Sequence, residues 1–357
     1  CAYLVCTLCA CGEGFVGLDG TRPGSADAAG VATNFSKANA SSLVVMDKTA
    51  YNASATDTNW ANSWKDVGYI FSSPTVAENN SQRVLQLTRT NDGRSALIIG
   101  NGYNSTNERP ALLIQYLDGS KEMKVIPAVP LIDPVTNAQH ADAVANGLSA
   151  PQFLDVNGDT IPDFVYAGDL RGNLWKFDIS SEDSAAWGVA FSGKPLFTAT
   201  YTSPSNSVSR QPITVAPVLR PNRVAGGLNV AFGTGRNLTD TDRTDQSKQT
   251  VYSILDNTRY ELKTSGTGKG KVNVKASDPT PTPVSGRAAL QSQSVDTDSK
   301  ANGAGVSTGR SFWKLNTTEV KYVCASTDTG CAEKKGWYLD LPDTGERVLS
   351  PIAFYDG

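Results

Sequence analysis

Four stretches of this chain repeat one grammar: an apolar strand, a glycine-rich turn, a second apolar strand and a terminal acid. They are Tyr3 to Asp19; Ala96 to Gly102 leading to Ala111 to Asp118; Phe164 to Asp178; and Asn229 to Arg236 leading to Thr250 to Asp256. Three are preceded by a strand that opens on proline, at Pro74, Pro151 and Pro217, and Ser350-Pro351-Ile352 matches the start of another. A recurring unit that cannot bury its apolar face alone must stack on its neighbours, so the repeat constrains the fold more than any local propensity does. Meandering antiparallel units of this size, stacked radially, are the blades of a β-propeller. The terminal acids Asp19, Asp118, Asp178 and Asp256 are unevenly spaced, which requires long insertions and a decorated propeller. A β-sandwich with Greek-key loops is the competing architecture.

Composition agrees with an all-β chain. The 32 glycines and 18 prolines, with clusters of Thr, Ser, Asn and Asp between short apolar runs, are punctuation for strands and turns. No window carries a convincing helical stripe at i, i+3, i+4 and i+7. We assign residues 1–357 to a single, incomplete propeller domain with insertions near 20–66 and 257–306. The first insertion is rich in Ala, Asn, Thr and Ser, with one strand expected at Ser42 to Met46. The second is polar, contains Pro279-Thr280-Pro281-Thr282-Pro283, and is expected to be a surface excursion with little packing of its own. The chain begins at Cys1 and stops as a new strand pattern opens, so a piece of a longer polypeptide is expected.

Charge excludes some partners. With 32 basic against 35 acidic residues, a net charge of −3 and no Lys/Arg run, nothing here tracks nucleic-acid phosphates. No apolar run approaches the roughly 18 residues a membrane-spanning helix needs.

The strongest chemical signal is Asp155-Val156-Asn157-Gly158-Asp159-Thr160-Ile161-Pro162-Asp163. Ca²⁺ is a hard cation that takes about 6–8 oxygen ligands, so it needs several carboxylates from one tightly turning segment. Asp155, Asn157 and Asp159 would each give a side-chain oxygen, Gly158 permits the turn, Ile161 would give its backbone carbonyl, and Asp163 would close the loop. The flanks read as strands, not as the helices of an EF-hand, and Tyr166 stands where that motif has its closing Glu. A metal-free acidic hairpin built on Asx-turns is the alternative. The corresponding turns of the second and fourth repeats, Asn91-Asp92-Gly93 and Asn222 to Gly226, carry too few acids for an ion.

Several of these segments together resemble a known family. Asp66 to Pro74, Ile99 to Ser105, Asp155 to Asp163 with Tyr166 to Asp178, and Gly336 to Pro342 with Gly345 to Val348 are similar to the C-terminal domain of the PilC/PilY proteins. These are bacterial type IV pilus tip adhesins and biogenesis factors. The resemblance implies a modified β-propeller with quinoprotein-like blades and Ca²⁺ at Asp155, Asn157, Asp159, the Ile161 carbonyl and Asp163. It also implies that site occupancy tunes pilus extension against retraction, and with it twitching motility and surface adhesion. The partners it implies are major or minor pilins and a host or abiotic surface, at the pilus tip or outer membrane of an exported protein. One departure is Cys6, which aligns with Gly100, Gly168 and Gly233 of the other repeats.

Other functions find less support. Cys6-Thr7-Leu8-Cys9 has the spacing of a zinc half-site, with Cys1 and Cys11 nearby, but no second CxxC completes it. Cys324 and Cys331 flank a short loop and are the candidate disulfide in an oxidising envelope compartment. The single histidine, His140, has no nucleophile elbow to serve, so no catalytic or cofactor-binding residues are assigned and a non-enzymatic protein is expected. Gly172 to Asp178 resembles the tryptophan-docking ends of quinoprotein dehydrogenase blades, which keeps that enzyme class as an alternative; Trp175 is expected to lock adjacent blades instead. An integrin-like or lectin-like propeller would repeat the calcium loop in several blades, and this chain has one.

Overall fold

The computed structural model describes residues 3–6, 14–19, 44–49, 62–71, 74–77, 80–265, 270–296, 314–316 and 318–353. Within them the regular structure is almost all β-strand, paired antiparallel with one exception, and three sheets carry the architecture. The first is a meander of β1 (Leu87–Arg89), β2 (Ser95–Gly100), β3 (Ala111–Tyr116) and β4 (Met123–Pro127). The second comprises β5 (Gln152–Leu154), β6 (Phe164–Gly168) and β7 (Asn173–Asp178), with β8 (Gly188–Val189) and β9 (Phe197–Thr198) pairing the two ends of β7. The third comprises β10 (Val218–Pro221), β11 (Leu228–Gly233), β12 (Thr250–Asp256), β13 (Gln291–Asp296), β14 (Lys314–Asn316) and β15 (Gly336–Asp340). Their order is β10-β11-β12-β15-β13-β14, with β13 and β15 parallel.

Each of the four sequence repeats forms the expected hairpin. In the first, Tyr3–Cys6 pairs with Gly14–Asp19, which pairs in turn with Val44–Thr49, a strand that starts two residues later than expected. The remainder of the first insertion lies largely outside the described residues, as do Cys1, Cys9 and Cys11. The strand led by Pro74 differs from expectation. Val76–Ala77 pairs with Asn80–Val84 in a small ribbon of its own, and β1 takes the edge of the first sheet. The extra hairpin sits between the proline and the blade, so the repeat unit is longer there.

The middle sheet is buried on both faces, and strand alternation sends its side chains into two cores. Val165, Ala167, Trp175 and Phe177 pack with Ala96, Ile98, Leu112 and Ile114 of the first sheet. Phe164, Tyr166 and Leu174 pack with Val230, Phe232, Tyr252 and Ile254 of the third. Trp175, 1% exposed, thus joins two blades, and its indole N–H donates to Asp169 Oδ2 at 2.8 Å.

The segments that cross from blade to blade are stitched to glycine-containing turns. Gly102 N donates to Leu148 O, and Ser149 N donates to Gly168 O. Ile213 N donates to Asp169 O, Gly235 N to Pro212 O, and Val348 N to Thr234 O. The crossings run so close that a Cβ on Gly100 would lie 2.0 Å from Ser149 O, and one on Gly168 would lie 2.2 Å from the Ile213 side chain. Glycine at the end of the second strand of each of these three sheets, Gly100, Gly168 and Gly233, is therefore a packing requirement.

The second insertion overturns its expectation. Its hairpin, Tyr260–Leu262 with Val272–Val274, and the segment after it bury Val272, Val284 and Leu290 in the core between the second and third sheets. Strand β13 extends the third sheet itself. Its apolar side chains are too few and too scattered among polar ones to show a periodic face, so burial by a partner sheet had no local signature. Cys324 and Cys331 are joined in a disulfide.

Candidate metal centre

The nine-residue loop closes the β5–β6 hairpin, whose register pairs Leu154 with Phe164. Positive φ at Gly158 (78°) and Thr160 (69°) turns the backbone inward. Asp155 caps both turns: its Oδ1 accepts from Gly158 N and its Oδ2 from Thr160 N, each at 2.7 Å. Asn157 Oδ1 accepts from Asp159 N at 3.1 Å, and Asp159 Oδ1 from Ile161 N at 2.9 Å. Asp155 thus spends both oxygens, and Asn157 and Asp159 one each, on amides two to five residues ahead, the pattern of Asx-turns.

Asp163 is different. It is fully buried, its Oδ2 accepts from Val156 N at 2.8 Å, and its Oδ1 has no hydrogen-bond partner. Burial, reinforced by the charges of Asp155 and Asp159, pushes its carboxyl up to about 6, against the opposing pull of the Val156 amide and of Lys271. An orphaned carboxylate oxygen in a dry site is costly unless something satisfies it.

The five sequence-assigned positions, Asp155, Asn157, Asp159, Ile161 and Asp163, are thus brought into one loop with oxygen donors only. That donor set fits a hard cation and not a soft one. Among the described residues no three acid, His or Cys side chains converge in a preformed cluster. Asp159 is turned instead toward Lys271, whose Nζ lies 3.9 Å from its Oδ2, and Asn157 Nδ2 donates to Asp159 Oδ2 at 3.1 Å.

Sequence reasoning missed three neighbours. Asn91, in the turn of the first blade that carries too few acids, donates through Nδ2 to Pro162 O at 3.1 Å and Ile179 O at 3.0 Å. Lys271 Nζ donates to Asn91 Oδ1 at 3.0 Å, and Gly270 O accepts from Asn157 Nδ2 at 3.3 Å. Their distance in sequence from the loop leaves no local signal. His140, for its part, accepts from Asp142 N through Nδ1 at 3.1 Å.

A family profile described as the PilY1 beta-propeller domain matches residues 37–302. This chain belongs to that family. PilY1, the type IV pilus biogenesis factor of Pseudomonas aeruginosa strain PAK, is 32% identical over 298 residues, covering 78% of this chain and 22% of the relative. The PilY1 of strain UCBPP-PA14 is 35% identical over 213 residues, covering 54% of this chain and 16% of the relative. A PilY1 homologue of Xylella fastidiosa is 36% identical over 194 residues, covering 54% and 12%. The chain therefore spans about a fifth of these PilY1 relatives or less. The crystal structure of the P. aeruginosa PilY1 C-terminal domain superposes with a TM-score of 0.65 at 27% identity, covering 98% of this chain and 62% of that one. The stacked blades are accordingly part of a PilY1-type β-propeller, as the repeat and the resemblance implied.

Proposed function

We propose that this chain is the calcium-responsive propeller portion of a type IV pilus biogenesis factor, acting at the bacterial cell surface, at the pilus tip or outer membrane. Its relatives carry that biogenesis role in their names, and the single observation that carries the calcium reading is the buried, unpartnered Oδ1 of Asp163. Asp155, Asn157, Asp159, Asp163 and the Ile161 carbonyl would hold the ion, which offsets the charge of three neighbouring carboxylates that a single ammonium, Lys271, does not balance.

The loop's place explains how its state can matter elsewhere. Asp163 N donates to Leu154 O and Ile179 N donates to Asp163 O, so the residue that closes the loop also belongs to the backbone of the second blade. Through Pro162 and Asn91 the loop touches the first blade, and through Asn157 and Asp159 it touches the insertion of the third. Ordering it stiffens a junction of three blades, and the bistable contact so biased is that with pilins. Extension against retraction, twitching motility and adhesion to host or abiotic surfaces follow in this reading. We read the chain as non-enzymatic, with Trp175 engaged by Asp169 and the inter-blade core. Reconstitution with a quinone cofactor should give no dye-linked turnover.

The test is genetic. Full-length protein carrying Asp163→Ala, replacing the parental copy, should change surface piliation and twitching. Parental levels of both would contradict the proposal.

A further inference from the structure

Two consecutive residues of the second insertion meet two consecutive donors of the loop. Gly270 O accepts from the Asn157 amide, and Lys271 Nζ lies 3.9 Å from Asp159 Oδ2. Lys271 is held in place. Its side chain is only 20% exposed, its Nζ donates to Asn91 Oδ1, and Asn91 is itself pinned by its bonds to Pro162 O and Ile179 O. The next residue, Val272, is 4% exposed and anchors the hairpin in the core. The hairpin thus delivers one ammonium to a loop of three carboxylates from a residue far away in sequence.

We infer that Lys271 is a tethered counter-cation of this loop, engaging Asp159 when no divalent ion is bound and displaced from it when one binds. The inference rests on the calcium reading above and adds a regulatory element to it. A lysine carries its charge on a flexible four-carbon stem, so the ammonium can leave Asp159 while its backbone stays in the hairpin. Two cations cannot share Asp159 without repulsion, because charges about 4 Å apart interact strongly wherever water is partly excluded. By linkage, whatever binds the loop more tightly when Lys271 withdraws must also drive its withdrawal.

The test is titration of the protein with CaCl₂ by calorimetry, alongside mass-spectrometric measurement of amine labelling at Lys271. Lys271→Met should bind calcium about tenfold more tightly than the parent, the size expected for removing one partly screened like charge. Lys271→Arg should stay near the parental affinity. In an Asp159→Asn background the gain from Lys271→Met should largely vanish. In the parent, labelling of Lys271 should rise with calcium at the midpoint seen by calorimetry. Unchanged or weaker binding by Lys271→Met, or labelling indifferent to calcium, would overturn the tethered-cation role while leaving the calcium site standing. A parent that binds no calcium would overturn both.

Discussion

Lys176 Nζ lies 2.8 Å from Asp256 Oδ2, both side chains are 1% exposed, and the pair joins the second blade to the third. Thr258 Oγ1 at 2.9 Å and the Tyr260 hydroxyl at 3.0 Å take the other ammonium protons, while Tyr166 donates its hydroxyl to Asp256 Oδ2 at 2.7 Å. Burial alone would push the Asp256 carboxyl up, but the Lys176 charge and these donors outweigh it and hold it below the usual carboxylate range. Removing one partner strands the other in an apolar core. Lys176→Met should cost about 3–5 kcal/mol in urea unfolding, whereas joint replacement with Asp256→Leu should recover most of it. Equal losses in the single and double variants would show that the pair is not coupled.

The crossing segments make a second, graded prediction. Gly168→Ala brings a methyl to 2.2 Å from Ile213 Cγ2 and 2.4 Å from its Cβ; rotation can move the first aside but not the second, so the crossing segment must shift in part, at a cost of about 1–3 kcal/mol. Gly100→Ala meets the Ser149 carbonyl, which belongs to backbone and cannot rotate away. It should cost more than Gly168→Ala, measured by thermal or denaturant unfolding of the two variants side by side.

Asp163 gives a pH signature. Its folded value of about 6 lies above the roughly 3.9 of an unfolded aspartate, so the folded state holds this proton more tightly. Stability from this group is therefore full below about pH 4 and is lost as pH rises through about 6. In chelator, the melting temperature of the parent should fall relative to Asp163→Asn across that window. Calcium affinity should run the other way and strengthen as pH rises through 6, because ligation needs the ionised form. Parallel pH curves for parent and variant in chelator would contradict this.

The Cys324–Cys331 disulfide closes a short loop whose residues 325–330 are exposed. Chain-entropy reasoning gives a stabilisation of about 2 kcal/mol for a loop of this size. Cys324→Ser with Cys331→Ser should lower stability by no more than that and leave calcium binding unchanged, measured by unfolding and by calorimetry.

What was legible in the sequence was local. The hairpins of the four repeats, the register of the loop between Leu154 and Phe164, the inter-blade role of Trp175 and the Cys324–Cys331 bond all follow from patterns within a few residues. The family likeness rests on the same short segments. What was not legible was long-range. The polar stretch after Asp256 gave no hint that Val272, Val284 and Leu290 fill a core, because burial there is imposed by the facing sheets. In the sequence Asp256 reads only as a strand-ending acid, since its lysine partner lies in another blade. Asn91 and Lys271 read as ordinary turn and surface residues until the fold sets them beside Pro162 and Asp159.

The central claim is that Asp163 completes a calcium site with Asp155, Asn157, Asp159 and the Ile161 carbonyl. Calorimetric titration of CaCl₂ into the parent and into Asp163→Ala, at a pH above 7 and with matched folding checked by circular dichroism, tests it most directly. One calcium per chain in the parent and no saturable binding in a folded Asp163→Ala variant is the predicted result; a variant that binds as tightly as the parent would contradict it.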